Sequence, residues 1–106
     1  MNDLMRPSLY SARHKIENLV ESSEKKDLYS VVGPVCETAD SFGSDFEVSA
    51  NAGDYLVVYS AGAYGSSMGS NYNTRLKPAE ILVDQKSHKV IRKAETFDDL
   101  LKEEEL

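Results

Sequence analysis

The stretch Asp54-Tyr55-Leu56-Val57-Val58-Tyr59-Ser60 decides the fold class. From Leu56 to Tyr59 the side chains are bulky and apolar or aromatic, and neither glycine nor proline interrupts them. An unbroken apolar run of this length predicts a strand buried on both faces. Upstream, the polar, Gly- and Ser-bearing segment Thr38 to Gly53 reads as loop around a short strand. Asp27 to Val35 (DLYSVVGPV) is a second strand rich in β-formers. Its Gly33-Pro34 step predicts a bulge, an edge or the strand's end. Ala12 to Val20 fits a helical face about as well as a sheet. Asn2 to Tyr10 meets Pro7 early, so a short helical turn or loop is expected there.

Downstream, Ala61 to Asn73 is small and glycine-rich, which predicts a close backbone approach. Ala79 to Asp84 and His88 to Lys93 flank the polar turn Gln85-Lys86-Ser87 and predict a hairpin. Thr96 with Asp99 three residues on is a helix-start pattern. The expectation is one mainly β domain over residues 1–106, with a short helix at its C-terminal end. No internal repeat or low-complexity segment is visible.

The 106 residues carry a formal net charge of −6, with Glu103, Glu104 and Glu105 clustered at the end. That cluster reads as a solvated helix end or tail. Nucleic-acid binding would need a basic stripe, and none is present. No run is long enough for a membrane span, and the first residues lack the pattern of a secretory signal. Cys36 is the single cysteine, so no internal disulfide can form and a reducing, cytoplasmic setting is expected.

Three segments hold the candidate chemistry. In Val31-Val32-Gly33-Pro34-Val35-Cys36-Glu37 a thiol and a carboxylate stand side by side after a strand break, where loops display reactive groups. The plainer alternative makes Cys36 a small buried hydrophobe and Glu37 a solvated charge. In Arg6-Pro7-Ser8-Leu9-Tyr10 the guanidinium fork suits a carboxylate and Tyr10 offers a hydroxyl; both are also ordinary surface and packing residues. In Ser60 to Asn73, small residues surround Tyr64, as a ligand-facing loop or a tight bend would require, but the lysine and spacing of a phosphate-binding P-loop are missing. His14 and His88 lie in no metal-ligand spacing and read as packing or surface residues.

Taken in order, MNDLMRPSLYSARH, VVGPVCETAD and AGAYGSSMGSNYNTR resemble the C-terminal signatures of diaminopimelate decarboxylases, pyridoxal-phosphate enzymes of lysine biosynthesis. Lys77 to Val83 fits the same pattern, so the likeness covers nearly the whole chain. Ser8, Thr38 and Gly69 depart from the family's usual Ala, Ser and Ser without removing a reactive group. The resemblance implies a small β-barrel or sandwich-like domain, the C-terminal domain of alanine-racemase-like decarboxylases. It also implies a partner (β/α)₈ barrel that holds pyridoxal 5'-phosphate on a lysine, and a homodimer with sites at its interface.

On that resemblance Cys36 is the proton donor to the carbon that loses carbon dioxide. Glu37 binds the substrate's distal ammonium, Arg6 and Tyr10 bind its distal carboxylate, and Tyr64 contacts cofactor and substrate. Cys36 and Glu37 would serve the neighbouring subunit's site; Arg6, Tyr10 and Tyr64 would serve their own. Thiols titrate near enough to neutral to act as general acids. Ornithine decarboxylases share the scaffold but usually have Asp after the Cys and lack the Arg-Pro-x-Leu-Tyr segment. Diaminopimelate is therefore favoured over an ornithine- or arginine-type substrate, and over a non-catalytic stand-alone β module.

The barrel, about 250 residues in itself, is absent from the chain, as is the cofactor lysine. The isolated 106 residues are thus expected to be inactive. The family commonly has an internal methionine at this point, so Met1 is not strong evidence of a natural start.

Overall fold

The computed structural model describes residues 1–21 and 23–105. Its elements run α1 (Arg6–Tyr10), β1 (Ile16–Asn18), β2 (Asp27–Val32), β3 (Ser41–Val48), β4 (Leu56–Val58), α2 (Gly62–Met68), a 3₁₀ turn (Tyr72–Thr74), β5 (Glu80–Asp84), β6 (Ser87–Arg92) and α3 (Phe97–Leu101). The strands pair antiparallel as β1–β4, β2–β3 and β5–β6. The chain is mainly β, as expected, and its ladders stay two-stranded among the described residues.

Local chemistry explains most boundaries. Pro7 lies in the first turn of α1, where no N–H is needed, and the helix stops after five residues at Ser11, left-handed at φ 54°. β2 ends at Val32, immediately before Gly33-Pro34. β5 and β6 are joined across Gln85 and Lys86, with Gln85 at φ 48°. Thr96 caps α3 through a reciprocal box: its side chain accepts from the Asp99 N–H, and Asp99 accepts from the Thr96 N–H.

Two expectations are corrected. The polar stretch from Thr38 contains the longest strand, the eight-residue β3. Phe46 and Val48 are buried while Asp45 and Glu47 face outward, so a period-two strand is hidden in a polar composition. Gly43 at φ 114° and Asp45 at φ 62° accompany the register shifts opposite Val31. Conversely, Asp54 to Ser60 yields only the three-residue β4, intermediate in burial along its length. Among the described residues it pairs with β1 alone, so the ladder leaves its other edge unpaired. The ambiguous segment Ala12 to Val20 resolves as β1.

The core is small: Leu4, Ile16, Val35, Phe46 and Val48. β1 and α1 both pack on β3, which makes β3 the centre of the fold. The accessible surface is 8319 Å², against roughly 5,900 Å² for a compact monomer of this mass. The radius of gyration, 15.7 Å, likewise exceeds the roughly 13 Å of a closed domain this size. Leu82, Val83, Val90 and Ile91 on the β5–β6 hairpin and Phe97 on α3 lie on that exposed surface.

Candidate functional site

The loop between β2 and β3 is built to display two residues. Val35 points inward as part of the core, while Cys36 and Glu37 are exposed. A short turn donates the Glu37 N–H to the Val35 carbonyl at 2.8 Å, and the Asp40 N–H reaches the Glu37 carbonyl at 3.1 Å. Asp40 closes the loop: its carbonyl accepts the Gly33 N–H at 2.8 Å, and its carboxylate accepts the Val35 N–H at 2.7 Å.

That carboxylate is only 1 % exposed and also accepts the Met1 ammonium. Burial pushes Asp40 up, but the bonds from the Met1 ammonium and the Val35 N–H outweigh it and hold the group below the ordinary aspartate range. Gly33 must be glycine for steric reasons, because a Cβ there would lie 2.2–2.5 Å from the Asp40 carboxylate. The alternative in which Cys36 is a buried hydrophobe does not hold.

Arg6 and Tyr64 are brought together. The Arg6 guanidinium stacks over the Tyr64 ring, 4.2 Å from its centroid, which leaves the planar edge of the fork free to meet an anion. The approach depends on small residues: a Cβ on Gly65 of α2 would lie 3.2 Å from the Asp3 carbonyl, and the Ser70 N–H donates to the Asn2 carbonyl at 2.9 Å. The expected close backbone approach is thus the N-terminal segment docking on α2, although the stretch forms a helix where a bend was an alternative. Gly62 faces open space. Tyr64 is 43 % and Tyr10 63 % exposed.

The two groups sit on adjoining elements. Ser8, in the middle of α1, donates its hydroxyl to the Ala39 carbonyl of the display loop. No hydrogen bond or ion pair among the described residues joins Arg6, Tyr10 or Tyr64 to Cys36 or Glu37. Sequence reasoning missed Tyr72, whose phenol donates to Glu37 Oε1; that bond, with the nearby negative charge, raises the Tyr72 phenol above the usual tyrosine range. A residue 35 positions from its partner leaves no local signal.

A cleft of about 900 Å³ lies elsewhere, lined by residues of β1 and β3 together with Arg13, His14, Lys15, Lys26 and Tyr59, and holds none of Arg6, Tyr10, Cys36, Glu37 and Tyr64. His14 is buried, its Nδ1 3.0 Å from the Tyr59 carbonyl, whereas His88 is exposed on β6. Among the described residues no three His, Cys, Asp or Glu side chains converge to hold a metal, and no helix is long and apolar enough to cross a membrane.

Residues 1–62 match the family described as the pyridoxal-dependent decarboxylase, C-terminal sheet domain. The diaminopimelate decarboxylase of Neisseria meningitidis serogroup A is 48% identical over 98 residues, 92% of this chain and 24% of that protein. The Haemophilus influenzae enzyme of the same name is 50% identical over 101 residues, 94% of this chain and 24% of its own length. The crystal structure of the M. jannaschii diaminopimelate decarboxylase in complex with L-lysine superposes with a TM-score of 0.92 at 40% identity, over 100% of this chain and 24% of that one. The Helicobacter pylori enzyme with L-lysine gives 0.85 at 43% identity, over 96% of this chain and 25% of that one. The chain spans about a quarter of the length of the relatives it matches.

Proposed function

The chain belongs to the C-terminal sheet domain family of pyridoxal-dependent decarboxylases, and from that premise we propose that it is the C-terminal part of a diaminopimelate decarboxylase. The intact enzyme would convert meso-2,6-diaminopimelate to L-lysine and carbon dioxide, in the cytoplasm, as a homodimer. The observation that carries this reading is the stapling of the loop that displays Cys36 and Glu37 to the helix that carries Arg6, through Ser8 and Ala39. A proton donor, a group for an ammonium and a group for a carboxylate thereby share one region.

Diaminopimelate has an amino-acid group at each end, so its non-reacting end needs both charges matched. Glu37 takes the ammonium; the Arg6 fork, with the Tyr10 hydroxyl, takes the carboxylate. Cys36 Sγ is exposed and holds the proton that the substrate carbon acquires when carbon dioxide departs. Pyridoxal phosphate, when bound, supplies the electron sink for that departure. The residues present fit one side of this cofactor: Tyr64 offers an exposed phenol, and open space lies beyond Gly62. On the family resemblance, the remaining cofactor contacts would fall to the barrel, which is not part of this chain. Arg6 and Tyr64 make no hydrogen bond or ion pair with Cys36 or Glu37 among the described residues, which accords with the two pairs serving different sites across a two-fold interface, where each copy contributes the same half-site.

Substrate preference tests the assignment. The intact enzyme is expected to favour meso-diaminopimelate over ornithine, which lacks the distal carboxylate. Arg6→Ala is expected to raise KM for diaminopimelate roughly 10- to 100-fold, the range for losing a charged hydrogen bond, while leaving ornithine turnover little changed. An enzyme that prefers ornithine, or an Arg6→Ala variant with unaltered KM, would contradict the carboxylate clamp.

A further inference from the structure

We propose that Tyr72 is a positioning residue for substrate recognition: its hydroxyl holds the Glu37 carboxylate in one orientation, leaving the second oxygen free for the substrate's distal ammonium. The proposal rests on the role given to Glu37 above. Glu37 is exposed at the tip of a loop, and an exposed glutamate samples several rotamers, each a different position for its charge. The Tyr72 phenol donates to Oε1 and removes that freedom. A phenol suits the task because it is rigid beyond two torsions, and the bond to Glu37 raises its pKa above the usual tyrosine range.

The backbone around Tyr72 is arranged to aim it. Asn73 and Thr74 are both left-handed, at φ 57° and φ 58°, a costly state for the β-branched Thr74. Asn71 anchors the turn by donating to the Arg75 carbonyl at 3.0 Å and to Glu95. The Glu95 carboxylate also accepts the Lys77 N–H at 2.9 Å. The strained turn is therefore tied down on both flanks while Tyr72 remains exposed at its start.

The test is a double-mutant cycle in the intact, cofactor-loaded enzyme, with KM and kcat for meso-diaminopimelate and the affinity for L-lysine measured for Tyr72→Phe, Glu37→Gln and the pair. Tyr72→Phe is expected to raise KM and weaken lysine binding roughly tenfold, with a much smaller change in kcat. In the Glu37→Gln background the same substitution should add less than twofold. An unchanged KM in Tyr72→Phe overturns the proposal, as does an undiminished penalty once Glu37 is gone, which would make Tyr72 an independent contact. Glu37→Gln with normal KM removes the assignment of Glu37 itself and the proposal with it, an outcome distinct from the other two.

Discussion

The Asp40 carboxylate accepts the Val35 N–H, and its carbonyl accepts the Gly33 N–H, so one buried residue closes the display loop from both ends. Removing the side chain leaves the Val35 N–H buried without its partner, and Asp40→Ala should cost about 1–3 kcal/mol. The pH dependence follows from a folded-state pKa held below the ordinary value of 3.8. The stabilisation from Asp40 is complete above that ordinary value and disappears as pH falls through the lower, folded one. Far-UV circular dichroism during acid titration should show the Asp40→Asn chain losing less stability than the wild type over that interval. Equal losses would remove Asp40 as a source of acid sensitivity. Gly33→Ala drives a methyl group into the same carboxylate and should cost about 1–3 kcal/mol as overpacking. At Cys36 the expectation is kinetic: Cys36→Ala should lower kcat by 10²–10⁴-fold, the usual worth of a positioned general acid, while KM changes little. An unaltered kcat would take the thiol out of the reaction.

Among the elements, α3 is the one whose start is most plainly written in its residues. Thr96→Ala removes the side chain that accepts the Asp99 N–H and should cost about 1 kcal/mol, read as earlier loss of helical signal on heating; an unchanged melt would show that the cap is not limiting. Local patterns such as this cap, Pro7 in α1 and the Gly33-Pro34 stop were legible because each acts within a few residues. The extent of β3 and the shortness of β4 were not, because both depend on what lies across the ladder. β3 keeps eight residues because Phe46 and Val48 find a core beneath them; β4 keeps three because β1 offers only Ile16–Asn18 to pair with. The site divides the same way. Arg6, Tyr10, Cys36, Glu37 and Tyr64 are proposed from ordered motifs, whereas Tyr72, Ser8 and Asp40 act through contacts 5 to 35 residues away that no local spacing reveals.

At the scale of the whole molecule, the 8319 Å² of accessible surface is some 40 % more than a closed domain of this mass exposes. Exposed apolar side chains on the β5–β6 hairpin and α3, among them Ile81, Leu82, Val83, Val90, Ile91, Phe97 and Leu101, are part of that surface, and large exposed apolar patches mark interaction faces. The isolated chain should therefore self-associate, with a sedimentation coefficient that rises with concentration; a monomer at every concentration would contradict this. The same exposure accords with a domain that works only against a larger partner. The central claim is that these residues supply the substrate clamp and proton donor of a diaminopimelate decarboxylase and depend on a cofactor-binding barrel for turnover. It is tested most directly by measuring lysine formation from meso-diaminopimelate, with pyridoxal phosphate, by the 106-residue chain alone and by the polypeptide that joins it to its barrel. Lysine from the joined polypeptide and none from the chain alone is the predicted result; lysine from the chain alone, or none from either, would contradict it.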